Sequence, residues 1–256
     1  MSSWIIAKGI QKKKVIHIVS YHDTGMSSDI PSIYMEYLAA YIYSQRMGEV
    51  CSLWDPTGII NTSLKHNPQV KVLKEKPDIR PLNVFTYSNI LRPMKLKDIQ
   101  NNANTLLDYT APFNTSLSQI LEKASIRQDY DIGLHIVSNS SDINLAPYID
   151  ILNAYQLKTK KTSLSVYIMT NTYSVVESLQ RAGNSTWKFT SLSKNAPKNA
   201  YEGFIQLMAE SKVMTKLPGL VLNFNNTIDR YIYLMHRNVT GLTYFKEIND
   251  MPWKLI

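Results

Sequence analysis

Two polar residues of kinds that bind anions or move protons lie close to predicted strand ends in the second half of the chain. His135 falls within a strand predicted over 131–137, where its side chain either caps a loop network or contacts a ligand. Arg230 lies near a predicted helix start, where the helix dipole disfavours a cation. We therefore expect Arg230 to pair with Asp229, with Asp142 or with a bound anion.

The sequence argues against a cysteine nucleophile, a zinc site and three common glycine-containing motifs. Cys51 is the single cysteine and falls in a predicted strand, which favours a buried, inert thiol over a nucleophile. His17 and His22 do not have the spacing of zinc ligands. The glycine-containing motifs of serine hydrolases, P-loop proteins and dinucleotide-binding proteins are absent. We predict no metal and no cofactor.

The elements that would position these residues alternate between strand and helix through the second half. Such alternation implies right-handed crossovers and a mostly parallel, doubly wound sheet, so the predicted fold class is α/β. The predicted strands cover 131–137, 164–169, 187–189 and 219–222, and the predicted helices cover 148–157, 173–180, 200–214 and 228–235.

Ligands of such sheets bind beyond the carboxyl ends of the strands. Three loops are predicted at these ends. We therefore expect a site that is built from loops 138–143, 170–172 and 223–227.

The first half also begins as a strand, a loop and a helix. A strand is predicted over 14–20, and a helix over 33–42 has Asp29 and Pro31 at its start, where both residues are favourable. A second strand is predicted over 49–54. Prolines then interrupt the pattern until a predicted amphipathic helix near 117–124, and the remaining predicted strands are 70–73 and 83–85.

The three loops of the second half resemble those of fucosyltransferases that share His-x-Arg-Arg-x-Asp, Thr-Asp-Asp and Thr-Phe-Ser-Ser-x-x-x-Arg motifs. The resemblance spans about residues 130 to 240. In order, the segments read Asp131-Ile-Gly-Leu-His-Ile-Val-Ser-Asn-Ser-Ser-Asp142, Val166-Tyr-Ile-Met-Thr-Asn-Thr-Tyr-Ser-Val-Val176 and Val221-Leu-Asn-Phe-Asn-Asn-Thr-Ile-Asp-Arg-Tyr231.

This resemblance implies a GT-B-like fold of two Rossmann-like lobes. The lobe over 1–112 would lie on the acceptor side, and the lobe over 113–256 would bind the nucleotide sugar. The implied donor is a guanosine-diphosphate (GDP) sugar, held without a required metal. The loop Thr24-Gly-Met-Ser-Ser-Asp29 resembles a glycine-rich first loop of the family.

Matching the motifs residue by residue gives candidates for nucleotide-sugar binding. His135 matches the histidine of the first motif, and Arg230 matches the arginine of the third. Asn171 stands in place of an acidic residue, and two asparagines stand in place of the serine pair. The candidates implied by the resemblance are His135, Ser138, Asp142, Asn171, Asn225, Asn226, Arg230 and Gly25.

The paired arginines of the first motif are replaced by Val137 and Ser138. An inverting sugar transfer builds negative charge on the departing diphosphate, which a metal-free site must balance with cations. At roughly 1.5–3 kcal/mol for each charge-assisted hydrogen bond, the loss would cost about two to four decades in rate. Lysines at 158, 160 and 161, or an arginine of the first lobe, are the substitutes that we consider.

The net charge of +8 attracts phosphates and acidic proteins alike. The basic clusters are small and lack interleaved aromatic residues, so we expect no specific nucleic-acid partner. The first residues do not read as a secretory signal, and no apolar run approaches the length of a membrane span. We therefore expect cytoplasmic synthesis and no membrane association.

Two functions of different classes fit these observations. In the first, the fold is kept after catalysis was lost, in a structural protein with protein neighbours in an assembly. Its likeness to transferase-like proteins of large DNA viruses suggests a virion or minor capsid component. In the second, a divergent inverting fucosyltransferase moves a deoxyhexose from a GDP-sugar to a glycan. Loss of the arginine pair from an otherwise intact scaffold favours the first.

Overall fold

The computed structural model describes residues 3–8, 16–21, 30–48, 50–55, 57–75, 83–85, 90–91, 93–137, 143–194, 196–236 and 244–249. The chain divides into two compact units: Met1–Thr115 with Lys254–Ile256, and Ser116–Trp253. Each unit contains a five-stranded sheet. No helix within the described ranges is long and apolar enough to cross a membrane.

The sheet of the first unit is mixed. Strand β1 runs antiparallel to both of its neighbours, whereas the remaining neighbours pair in parallel, and the strand order is β4-β3-β2-β1-β5. The strands are β1 (Ser3–Lys8), β2 (Ile16–Tyr21), β3 (Cys51–Trp54), β4 (Val70–Leu73) and β5 (Asn83–Phe85), and the helices are α1 (Ile30–Met47), α2 (Ile59–Ser63) and α3 (Leu96–Leu106).

The predicted strand, helix and strand that open this unit correspond to β2, α1 and β3, but the sheet begins one strand earlier, with β1. Helix α1 is buried on all sides, since every residue from Ile33 to Ile42 is buried, which fits the largely apolar composition of this stretch. The Tyr34 hydroxyl donates to Ser63 Oγ at 2.7 Å, which ties α1 to α2.

The second unit follows helix α4 (Ala111–Lys123), which spans the boundary between the two units. All neighbouring strands of its sheet are parallel, in the order β10-β9-β6-β7-β8. The strands are β6 (Ile132–Ile136), β7 (Leu164–Thr170), β8 (Trp187–Thr190), β9 (Gly219–Leu222) and β10 (Tyr244–Glu247), and the helices are α5 (Ala146–Thr159), α6 (Tyr173–Ala182), α7 (Ala200–Met214) and α8 (Thr227–Met235).

The predicted fold class is confirmed. The four predicted strands and four predicted helices of the second half are all present, with ends that differ by a few residues at most. Strand β10 was not predicted, because only its last residue is fully buried and the segment carries no continuous apolar run.

Strand β6 sends alternate side chains to the two faces of the sheet. Ile132, Leu134 and Ile136 join the apolar core that includes residues of α5 and α6. On the other face, a Cβ added to Gly133 would lie 2.7 Å from a methyl carbon of Leu217, so that the segment after α7 packs tightly there. His135 shares this second face because side chains two residues apart on a strand point the same way.

The order of the strands reverses between β6 and β9. From β6 the chain continues outward through β7 to β8, then returns to β9 on the other side of β6 and continues to β10. In open parallel sheets, the carboxyl ends of the strands at such a reversal form the usual ligand crevice. The end of β6 and the β9–α8 loop are therefore the place in this unit where a site is expected.

Candidate functional site

A buried histidine and a buried carboxylate meet at this reversal. His135 is the second-last residue of β6, and its ring Nδ1 lies 2.6 Å from Oδ1 of Asp229, in the first turn of α8. His135 is 5% exposed and Asp229 is 0% exposed. Because a carboxylate oxygen accepts, Nδ1 carries the hydrogen, which leaves Nε2 as the remaining polar atom of the ring.

The second oxygen of Asp229 binds the loop between β9 and α8. The backbone N–H of Asn223 donates to Oδ2 at 3.0 Å, and the Asn226 side-chain amide lies 3.4 Å from the same oxygen. A single carboxylate thus joins the end of β6 to a loop of the neighbouring strand. The placement of Asp229 near the start of α8 is also favourable for the helix dipole.

A second buried carboxylate, that of Glu247, holds the same loop from β10. Its Oε1 accepts from the backbone N–H of Phe224 at 2.9 Å, and its Oε2 accepts from the N–H of Asn249 at 2.8 Å. The Asn249 side chain in turn donates to Asn223 Oδ1 at 3.1 Å. Both carboxylates therefore have their oxygens engaged by the fold itself, and the β9–α8 loop is fixed on two sides.

Tyr148 lies in the field of these two carboxylates. It is a buried residue in the first turn of α5. Burial, followed by the negative charges of Asp229 and Glu247, raises the pKa of its hydroxyl to about 12. The negative charges of the crevice therefore disfavour ionisation of this hydroxyl beyond the effect of burial.

The predicted site residues fall into three groups. His135, Asn225, Asn226 and Arg230 come together around the end of β6 and the start of α8. The exposed Asn171 follows β7, the neighbouring strand. The remaining three candidates, Gly25, Ser138 and Asp142, lie outside the described residues.

Arg230 was expected to pair with an acidic group or an anion, and Asp229 was one of the three partners considered. The Asp229 carboxylate is bound by His135 and by Asn223. The Arg230 side chain is buried on α8, and its backbone N–H donates to Asn226 O at 3.4 Å.

The lysines in the last turn of α5 and directly after it lie beyond the opposite end of the strands from the arginine positions. Helix α5 begins after the carboxyl end of β6, and its 14 residues carry the chain about 21 Å toward the amino ends of the strands. Lys161 Nζ lies 2.6 Å from Oδ1 of Asp131, the residue that precedes β6. The hypothesis that this cluster holds a phosphate at the site is therefore wrong.

The residue that immediately follows β6 is Val137, and its side chain is 39% exposed. In the match to the His-x-Arg-Arg-x-Asp motif, this position corresponds to the first arginine. An exposed valine there offers an incoming phosphate neither charge nor a hydrogen bond. Within the described ranges, no three His, Cys, Asp or Glu side chains gather as a metal site would require.

The sequence predicted the crevice and His135, but it did not predict two other residues near the crevice, Glu247 and Tyr148. Glu247 comes from a strand that was not predicted, because Tyr-Phe-Lys-Glu at 244–247 shows neither alternation of apolar and polar residues nor a continuous apolar run. Tyr148 was read only as the start of a helix. The partnership of His135 with Asp229 joins residues 94 positions apart and has no local signature.

No protein-family model matches the sequence, and no curated protein matches it. Solved structures do. The chain is similar to the fucosyltransferase NodZ from Bradyrhizobium, with a TM-score of 0.59, 11% identity, and 88% of this chain and 94% of that chain covered. A structure of NodZ, an alpha-1,6-fucosyltransferase, soaked with GDP-fucose aligns at a TM-score of 0.56 and 11% identity over 88% and 93% of the two chains.

A plant protein shows the same relationship. A mutant of FUT1 from Arabidopsis thaliana in complex with GDP aligns at a TM-score of 0.56 and 11% identity, covering 91% of this chain and 70% of that chain. These similarities establish a fucosyltransferase-like GT-B fold for the chain.

Proposed function

We propose that this protein has a fucosyltransferase fold without transferase activity, and that it serves as a structural component of a protein assembly such as a virus particle. The observation that carries the proposal is the exposed Val137 at the carboxyl end of β6, where the resemblance places the first of two arginines. The fold that would support catalysis is present, but this cationic group is replaced.

The physical argument concerns the leaving group. NodZ has been soaked with GDP-fucose and FUT1 has been crystallised with GDP. When the bond between the sugar and the diphosphate breaks, its electron pair stays on the diphosphate. Departure of GDP from such a donor therefore needs cations or strong hydrogen-bond donors at the diphosphate. Val137 supplies neither a cation nor a hydrogen-bond donor from its side chain. The lysines at the end of α5 lie beyond the opposite end of the strands.

The bonds of His135 and Asp229 agree with a structural role. Both oxygens of Asp229 hold parts of the fold, one through the His135 ring and the other through the N–H of Asn223. Such a buried, satisfied network fixes the position of a loop whether or not a ligand binds. Retention of His135 is therefore explained without turnover.

The surface suits contacts with other proteins. Among the described residues of the second unit, Leu157 is 79% exposed and Tyr201 is 56% exposed. Leu157 is followed by basic residues, and the whole chain carries a net charge of +8. Exposed apolar groups beside basic ones favour acidic protein neighbours that also present apolar area.

The second candidate function is that of a divergent fucosyltransferase that uses a GDP-sugar and a glycan. The observation that favours it is the position of His135, a histidine oriented by a carboxylate at the strand-order reversal. In this alternative the lobe over 1–112 binds the acceptor, the lobe over 113–256 binds the donor, and an oriented imidazole contributes to binding or proton transfer.

Calorimetric titration with GDP and with GDP-fucose separates the two functions. For a non-catalytic protein we expect no saturable binding at millimolar ligand. The variant Val137→Arg/Ser138→Arg restores the missing cations and should gain measurable affinity. The matched control Leu157→Arg/Tyr201→Arg adds the same charge at exposed positions and should gain none. Micromolar binding by the unmodified protein would overturn the proposal and favour the transferase.

A further inference from the structure

A second concave region of the same unit is formed by the end of α4, the loop between β8 and α7, and the first turns of α7. Together they form a cavity of about 610 Å³ that opens to the surface. Small-molecule sites typically have volumes of about 300–1,000 Å³. The cavity is therefore large enough for a ligand and is built from elements that do not form the β6–β9 crevice.

The lining combines an apolar wall with a cationic rim. Ile120 of α4 and Leu192 and Pro197 of the loop supply the apolar wall. The rim carries Lys123, Lys194 and Lys198. Such an arrangement matches a molecule with an apolar body and one negatively charged end.

Within the described part of the chain, no ion pair neutralises the three lysines. Among the described residues, none of their ammonium groups has a carboxylate partner, whereas Lys65 and Lys161 of the same chain each contact an aspartate at 2.6 Å. Three like charges around one cavity repel one another, and a bound anion would relieve this repulsion.

The one acidic residue of the lining is engaged elsewhere. Oε2 of Glu202 accepts from the backbone N–H of Lys198 at 2.8 Å, while the Asn199 side chain accepts from the N–H of Glu202 at 2.9 Å. This pair of bonds resembles a capping box at the start of α7, with the Glu202 side chain bonded to the N–H of the residue before the N-cap. It stabilises the helix start and leaves the lining with a net positive charge.

The wall of the cavity is held in place from beneath. Leu192 is buried, and its backbone hydrogen-bonds to the carboxyl group of the fully buried Glu210 on α7. The adjacent turn is closed by Ser191 and Ser193, whose hydroxyl oxygens lie 2.8 Å apart. A site whose walls are fixed before binding loses less conformational entropy when the ligand enters.

We propose that this cavity binds a small amphipathic anion, with its phosphate or carboxylate at the lysines and its apolar body against Ile120, Leu192 and Pro197. This site lies beyond the function proposed above and does not depend on it. The ligand class follows from the lining: a phosphate alone would leave the apolar wall uncovered, and a neutral apolar molecule would leave the three charges unbalanced.

The experiment titrates the full-length protein with four probes: 1-naphthyl phosphate, 1-naphthoate, 1-naphthol and inorganic phosphate. We expect saturable binding of at least one naphthyl anion, about tenfold tighter than either 1-naphthol or inorganic phosphate. The preferred head group distinguishes a phosphate ligand from a carboxylate ligand.

Two double variants locate the binding. Lys194→Gln/Lys198→Gln should weaken naphthyl-anion binding about tenfold or more, because each lysine contributes a charge-assisted contact. The control Lys160→Gln/Lys188→Gln removes the same charge from exposed residues of the same unit that do not line the cavity, and it should change binding less than about twofold.

Several results would overturn the proposal. These are no saturable binding at millimolar probe, equal affinity for inorganic phosphate and the naphthyl anions, or equal weakening by the two double variants. Stronger displacement by an acidic peptide than by any naphthyl anion would likewise replace the small-molecule site with a peptide surface. Thermal unfolding of each variant verifies that it is folded, which the exposed positions of these lysines favour.

Discussion

The β6–β9 crevice and the α4–α7 cavity treat charge in opposite ways. In the crevice, the buried carboxylates of Asp229 and Glu247 have all their oxygens bonded to His135 or to backbone N–H groups. In the cavity, three lysines surround open space without a carboxylate partner among the described residues. The difference teaches that buried charges of the same unit can be balanced within the fold in one region, while charges in another region remain exposed to whatever binds there.

The largest effect should follow from removal of the carboxylate at the crevice. Asp229→Ala leaves His135 buried without its partner and deprives the Asn223 N–H of its acceptor. We expect the free energy of unfolding to fall by about 3–5 kcal/mol, as for other buried pairs that lose one member. Denaturant titration measures the change.

The matched control is Asp129→Ala. Asp129 forms an exposed pair with Arg127, and its loss should cost less than about 1 kcal/mol. Equal losses for the two variants would show that the crevice carboxylate is not part of the framework.

A smaller effect concerns the buried acid beneath the cavity. Burial raises the pKa of Glu210 to about 8 from 4.5, despite its hydrogen bonds to Tyr167 and Leu192. The folded protein thus keeps a proton that the unfolded chain releases, so the free energy of unfolding falls as the pH rises from about 4.5 to about 8. Between pH 4.5 and 7 the fall from this group is about 3 kcal/mol.

Glu210→Gln tests this directly. The variant cannot ionise, so the difference between its stability curve and that of the unmodified protein should follow the stated pH window, with the variant gaining stability as the pH rises. The exposed Glu177→Gln serves as control and should leave the pH dependence unchanged. Parallel curves for Glu210→Gln and the unmodified protein would mean that the acid is not held protonated by the fold.

The smallest effect is expected at the cavity rim. Lys194→Gln/Lys198→Gln removes two exposed charges that make no ion pair with the described residues, so the free energy of unfolding should change by less than about 0.5 kcal/mol. Chemical denaturation of this variant beside Asp229→Ala gives the contrast between the two regions in one experiment. A destabilisation comparable to that of Asp229→Ala would assign these lysines to the framework instead.

The sequence allowed much of the second unit to be predicted, because its signals are local. Helix α7 was predicted with its observed ends, since Phe204, Leu207 and Met208 recur at helical spacing. Strands β1 and β10 were missed because their local signals are weak: β1 has only a short apolar run, Trp-Ile-Ile-Ala, and β10 has no continuous apolar run.

The site was predicted only in outline, for the same physical reason. The rule for parallel sheets located the crevice, and the resemblance supplied His135 and Arg230. The pairing of His135 with Asp229, and the hold of Glu247 on Phe224, join residues far apart in the chain. The cavity at α4 and α7 escaped notice because Lys123 and Lys194 are separated in sequence and come together only through the fold.

The central claim is that the fold has lost sugar transfer, and the most direct test is a sensitive assay for GDP release from GDP-fucose. The unmodified protein is incubated with donor alone and with a panel of glycan acceptors, beside a His135→Ala variant. We predict no release above the protein-free blank in any mixture. Release that requires an acceptor and disappears in His135→Ala would contradict the account and identify the protein as an active fucosyltransferase.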